Sequence, residues 1–275
     1  MTDYITVLRN HYQSQPAEVS LETLALCNAR CTFCPYPTLE RQGVKMPDEL
    51  IYRLIDEMSK WQIPFYFSPF KVNEPLLDSR LMDICRQVNE RIPIAVLRLF
   101  TNGSALTDKH VESIAGLKRV YHLWISLNSH IPEEYEEVMG LNFEQTARKL
   151  DNLHSKDFPH KVVVSRVGID NEFMFYVQQR WPKFCPVLIK RDAWIDYITI
   201  DDEVPSTPCI KWWELNITAT GKAALCCMDG TAEYGFGDVN NQSLLEIYNH
   251  PTLARWRNAK LNRKEAGLPC ARCSY

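Results

Sequence analysis

The chain has 275 residues, 45% of them apolar and 24% charged, with a formal net charge of −3. That length buries the core of one large domain plus a small appendage. The charge gives no reason to expect a nucleic-acid or membrane-binding surface, and no apolar run approaches the roughly 18 residues of a spanning helix.

The N-terminal residues 1–15 lack the apolar centre of a signal peptide, so the expected location is the cytoplasm. Residues 1–18 are taken as an extension. A strand is expected over 19–26, ending at Cys27. A helix over 47–61 follows, with Leu50, Ile51, Leu54, Ile55, Met58 and Trp61 on one side. Pro47, Asp48 and Glu49 suit its first turn. Then come a strand over 64–70, a helix over 78–90, and a strand over 94–100 that breaks at "TNGS", a strong turn signal. A helix over 107–116 leads to a strand over 119–127 and two helical segments bent near Gly140. A strand over 161–169, a helix over 172–180 and short strands near 187–190 and 195–200 complete the run.

Alternating strands and helices imply parallel βα units. The fold class is therefore α/β, a partial (β/α)6 TIM-like barrel over 19–204. In such barrels chemistry sits at the C-terminal ends of the strands, where Cys27, Asn73–Glu74, Thr101–Asn102 and Ser126–Asn128 all fall. Beyond it, residues 205–275 form a smaller unit: a β-hairpin turning at "ATGK", then helical segments broken before Pro251, then "CARC".

Ten cysteines in a reducing compartment point to metal or redox chemistry more than to disulfides. Cys85 shares a helix face with Leu81, Ile84 and Val88 and reads as a core thiol; Cys185 reads as the start of a buried strand. Cys27, Cys31 and Cys34 have the spacing CxxxCxxC. They supply three ligands where a structural zinc takes four, with no histidine in the twenty residues that follow. Iron–sulfur clusters are held by thiolates at such spacings, and three cysteines on a cubane leave one iron open.

CxxxCxxC after the first strand of a βα barrel, with Phe33 before the last cysteine, resembles the radical S-adenosylmethionine superfamily. The resemblance implies that the open iron of a [4Fe–4S] cluster chelates S-adenosylmethionine. An external one-electron donor such as flavodoxin or ferredoxin would drive its cleavage to a 5′-deoxyadenosyl radical. In the family's Gly-Glu-Pro motif Asn73 here replaces the glycine while Glu74, Pro75 and Leu76 remain, and Glu74 would hold the cofactor's ammonium. Thr101 and Asn102 match the third strand end. Ser126 and Asn128 would reach the ribose or carboxylate, Ser165 or Arg166 the carboxylate, and Phe33 the adenine. Strand alternation points only one of Ser165 and Arg166 inward.

Cys209, Gly221, Cys226, Cys270 and Cys273 resemble the auxiliary-cluster domain called SPASM, in its truncated twitch form. That implies a second [4Fe–4S] cluster closed by Cys209, Cys226, Cys270 and Cys273, with zinc the rival metal. Cys227 faces the other way from Cys226, and the spacing from Gly221 favours Cys226 as ligand. A fully ligated cluster transfers electrons, so the expected reaction is oxidation of a small polar metabolite such as a sugar or aminocyclitol. The rivals are an epimerase using Cys227 as hydrogen donor, a peptide- or protein-modifying enzyme, and a zinc-stabilised binding module. Only 26 residues precede Cys27, which favours a small molecule over a leader-bearing peptide.

Overall fold

The computed structural model describes residues 2–191, 193–195, 197–198, 202–259 and 261–275. Helix α1 (Thr2–His11) precedes strand β1 (Glu18–Leu21). Then α2 (Asp48–Met58), β2 (Phe65–Ser68), α3 (Leu81–Arg91), β3 (Ala95–Thr101), α4 (Asp108–Ala115) and β4 (Val120–Ser126) alternate. Helices α5 (Pro132–Met139) and α6 (Phe143–Ser155), β5 (Val162–Val167), α7 (Asn171–Arg180) and β6 (Cys185–Ile189) follow. Neighbouring strands from β1 to β6 pair in parallel, which is the expected α/β partial barrel. Among the described residues no helix is long and apolar enough to cross a membrane.

Period-two alternation decides what faces where. In β3, Ala95, Leu97 and Leu99 are buried with α2 and α3 in the main core. Arg98 and Phe100, between them, line the barrel's inner cavity. Helix α2 buries Leu50, Ile51, Leu54, Ile55 and Met58, and α3 buries Leu81, Ile84, Cys85 and Val88. Cys85 is a core thiol, as expected. Cys185 does open a strand, but it is half-buried rather than buried. The strand expected over 195–200 falls partly on Asp196, Thr199 and Ile200, which lie outside the described residues.

Two features depart from the sequence pattern. Strand β1 stops at Leu21 because the next residues pair with another partner: Ala25 N–H donates to Val44 (2.8 Å) and Met46 N–H to Thr23 (2.9 Å). Residues 23–25 thus fold on 43–46, and the cysteines follow in a loop rather than at a strand end. The hairpin of β7 (Glu214–Ile217) and β8 (Ala223–Ala224) forms as expected, but β7 also lies parallel to β1. One eight-stranded sheet results, in the order β6-β5-β4-β3-β2-β1-β7-β8. After it come α8 (Leu244–Tyr248), α9 (Pro251–Asn258) and α10 (Arg263–Ala266). Ile5 and Leu8 of α1 pack in a second core with Trp212, Trp213, Trp256, Cys209 and Cys270.

Candidate active site

Cys27, Cys31 and Cys34 line one cavity of about 340 Å³ at the C-terminal ends of the strands, with Phe33 among them. Their loop is fastened to α5: Arg30 N–H donates to Met139 (2.8 Å) and Thr32 N–H to Val138 (3.0 Å). Burial pushes the Cys27 thiol up to about 12 and holds Cys31 and Cys34 above the ordinary thiol range. Thiols so placed ionise when a metal centre displaces the proton. Among the described residues no three His, Cys, Asp or Glu side chains converge on a point that would seat one ion. A single zinc needs thiolates meeting at about 2.3 Å from it. Among the described residues, three cysteines with no fourth protein ligand beside them are one short of a structural zinc site.

Glu74 sits beside this ring, 1% exposed. One carboxylate oxygen accepts from Leu76 N–H (3.0 Å) and Thr101 Oγ1–H (2.7 Å), the other from Asn102 N–H (2.6 Å). Burial nevertheless pushes its pKa up to about 7. The "TNG" turn thus builds the Glu74 pocket. Gly103 adopts φ 78°, and a side chain there would press on Ile125 and Leu150 at 3.1 and 3.2 Å. Asn73 accepts from Lys71 N–H (3.0 Å), while its Nδ2, buried against the same cavity, has no partner. An orphaned donor beside a buried carboxylate fits an amino acid headgroup, which carries both an acceptor and an ammonium.

Thr101, Asn102, Ser126 and Asn128 also line the cavity. Asn128 takes φ 62°, accepts from Val167 N–H (3.1 Å) and donates to Met139 Sδ (2.9 Å). Ser165 and Arg166 are not brought to the cavity wall. Ser165 accepts from Trp124 Nε1–H (2.8 Å). Arg166 pairs with Glu134 (2.7 Å) and Asp170 (3.2 Å) and donates to the Asn128 carbonyl (2.6 Å). Those ion pairs turn the guanidinium away from the position the sequence suggested and make it a brace behind Asn128.

Cys209, Cys226, Cys270 and Cys273 line a second, smaller cavity together with Trp212, Leu225 and Arg263. Cys227 lines the large cavity instead, so the two adjacent cysteines divide between the sites. Burial pushes Cys209 and Cys227 up to about 12 and holds Cys226 well above the ordinary thiol range. Gly221 has φ 89°, and a Cβ there would lie 2.3 Å from Asn240 Nδ2. The tight turn it permits starts β8 and so sets where Cys226 falls.

Sequence reasoning missed the floor of the large cavity. Glu18, Ser20, Arg98, Lys211 and Glu214 all line it, and Lys211 also lines the small one. The available signal was a repeated pattern: "EVSL" and "ELNI" each open on an acid and alternate with apolar residues. It also missed a buried clamp. Glu22 pairs with Arg41 at 2.6 Å and accepts from Ala219 N–H (3.0 Å); Arg41 donates to Gly230 (2.6 Å) and Lys71 to Asp229 (2.6 Å).

With this geometry, the family models fit. That of the Radical SAM superfamily matches residues 21–178, and that of the SPASM iron–sulfur cluster-binding domain matches 209–274. A GTP 3′,8-cyclase of Limosilactobacillus fermentum is 27% identical over 212 residues, 70% of this chain and 62% of the cyclase. The S-adenosyl-L-methionine-dependent 2-deoxy-scyllo-inosamine dehydrogenase of Niallia circulans is 28% identical over 100 residues, 36% of this chain and 40% of the enzyme. The chain thus spans less than two thirds of either curated relative. BtrN in complex with AdoMet and 2-DOIA superposes with a TM-score of 0.68 at 17% identity, covering 94% of this chain and 93% of BtrN. SuiB of Streptococcus suis bound to its precursor peptide SuiA gives 0.71 at 12% identity, covering 99% and 73%. These likenesses establish the fold.

Proposed function

Because this chain belongs to the radical SAM superfamily, whose cofactors are S-adenosylmethionine and iron–sulfur clusters, we propose that it is a cytoplasmic oxidoreductase of a small polar metabolite such as a sugar or aminocyclitol. When bound, these cofactors supply hydrogen-atom abstraction from an unactivated carbon and one-electron transfer. Cys27, Cys31 and Cys34 would hold the cofactor-binding [4Fe–4S] cluster, and Cys209, Cys226, Cys270 and Cys273 a closed auxiliary one. Glu74 and Asn73 take the methionine amino group. Ser126 and Asn128 take the ribose or carboxylate, with Ser165 and Arg166 acting through the strand ends rather than by contact. Phe33 lies against the adenine, and Thr101 and Asn102 fix Glu74.

The observation that carries this reading is the second cavity. Four cysteines share it, which leaves no open iron for a substrate there and favours electron transfer. Its wall meets the large chamber at Lys211, so an electron leaving a substrate has a short way to go. The distant dehydrogenase relative points the same way. An external one-electron donor such as flavodoxin or ferredoxin would reduce the first cluster.

Cys227 favours a second reading. Its thiol faces the chamber, where a radical epimerase would need a hydrogen donor. The two separate in deuterium oxide: an oxidation leaves no carbon-bound deuterium in the product, whereas an epimerisation installs one. Anaerobic reconstitution with reductant should cleave S-adenosylmethionine, and oxidised product should form in step with 5′-deoxyadenosine. Stoichiometric deuterium incorporation would sink the dehydrogenase reading.

A further inference from the structure

The four-cysteine cavity is lined by two buried side chains whose donors are left unpaired, Trp212 and Arg263. They are 2% and 4% exposed. Trp212 follows Cys209 by three residues in the 3-10 turn Ile210–Trp213, and its backbone N–H donates to the Cys209 carbonyl (3.2 Å). Residues three apart eclipse in such a turn, which brings the indole back to the cavity. Trp256 packs against its ring at 5.5 Å, and the indole Nε1–H has no hydrogen-bond partner.

Arg263 opens α10. Its Nη1 donates to the carbonyl oxygens of Cys273 (3.4 Å) and Tyr275, while its Nε has no partner. Lys211, the other cation on this wall, is paired with Glu214 at 2.8 Å. Among the described residues no Asp or Glu side chain pairs with Arg263. A guanidinium keeps its proton, and a buried charge calls for a counter-charge. Four neutral thiols supply none. A [4Fe–4S] cluster on four thiolates supplies it, with two negative charges when oxidised and three when reduced, and its sulfur atoms accept hydrogen bonds. Both donors face the cysteines. Burial raises the Cys270 thiol, and the Trp212 N–H and the Arg263 charge oppose that rise. Burial likewise raises Cys209, and Arg263 opposes it there too.

We propose that Trp212 and Arg263 are positioning residues of the auxiliary cluster that raise its reduction potential. The proposal rests on the reading of the small cavity as a closed, electron-transferring cluster and goes beyond it by naming what makes that cluster easy to reduce. A fixed cation and a hydrogen bond to sulfur both stabilise the more negative, reduced form. The couple is one electron with no atom transferred, and dithionite supplies that electron in the test below. A merely structural Arg263, fastening the segment of Cys270 and Cys273, would act on iron content and leave the potential where it was.

The test is a redox titration of the anaerobically reconstituted full chain, followed by electron paramagnetic resonance. The first cluster is told apart by the change that S-adenosylmethionine makes in its signal. Trp212→Phe keeps an aromatic ring and removes the N–H. It should lower the auxiliary reduction equilibrium about threefold, roughly 28 mV. Arg263→Met should lower it about tenfold or more, about 59 mV for one electron, and Arg263→Lys should lie nearer the wild type. The first cluster should not move in any of the three. An unshifted auxiliary potential in Trp212→Phe, an Arg263→Lys value as low as that of Arg263→Met, or equal shifts in both clusters overturns the proposal. Should Arg263→Met fail to fold or lose the auxiliary irons, Trp212→Phe decides alone. Zinc in the small cavity would sink the electron-transfer reading together with this one. Iron there with unshifted potentials sinks this one alone, and shifted potentials without oxidised product count only against the dehydrogenase reading.

Discussion

The two cysteine sites differ in ligand number and in what surrounds them. The N-terminal three line a roomy chamber with polar groups on several strand ends. The C-terminal four line a small cavity walled by Trp212, Leu225 and Pro269. The first cavity has room for a ligand beside whatever its cysteines hold; the second has room for little beyond what four cysteines would hold. An open position at the proposed first cluster would thus be made by the barrel as much as by the missing fourth cysteine.

The most drastic way to break this comparison is to remove the first site. Replacing Cys27, Cys31 and Cys34 with Ala should abolish reductive cleavage of S-adenosylmethionine while iron falls from about eight to about four per chain. Two zinc ions in place of iron in the reconstituted wild type would refute the cluster assignment outright. Next in effect is the split pair. Cys226→Ala should lose about four irons and Cys227→Ala none, and the opposite result would exchange their roles.

Glu74→Gln should weaken cofactor binding about tenfold or more, as expected for one partner of a charged hydrogen bond, measured by equilibrium dialysis. The same residue gives a pH signature. Folded, its carboxyl holds a proton up to about pH 7, against 4.5 ordinarily. Folding therefore takes up a proton between those values, and stability falls as pH rises through that window. The loss should reach on the order of 3 kcal/mol, read from urea midpoints, and Glu74→Gln should flatten it. The smallest effect is expected at Cys85→Ala, about 1 kcal/mol of stability with iron content unchanged. A drop in iron there would add a ligand the site does not need.

Much of this was legible because its signals are local. CxxxCxxC, the Glu74 segment, "TNG" and the strand–helix alternation each fit within a few residues, and the helix faces of α2 and α3 follow directly from periodicity. The rest depends on partners distant in sequence. Nothing near Leu21 announces that the chain will fold onto residues 43–46 rather than continue as a strand. Arg166 looked available because Glu134, one of the acids that hold it, lies 32 residues away, although Asp170, only four residues on, was within local reach. Glu18 and Glu214 are ordinary strand-opening acids until β7 is laid beside β1.

That last pairing also bears on the order of assembly. Strand β1 leaves its ladder open on one side until β7 is made, because Glu18 to Leu21 pair with Glu214 to Ile217. Helix α1 likewise waits for Trp212 and Trp213 to pack against. Contacts of such long sequence separation close late. The sheet that joins both cysteine-bearing segments is therefore complete only when β7 has been laid beside β1. The two cysteine-bearing segments thus depend on one long-range pairing, and a chain cut before β7 would leave an open edge at β1.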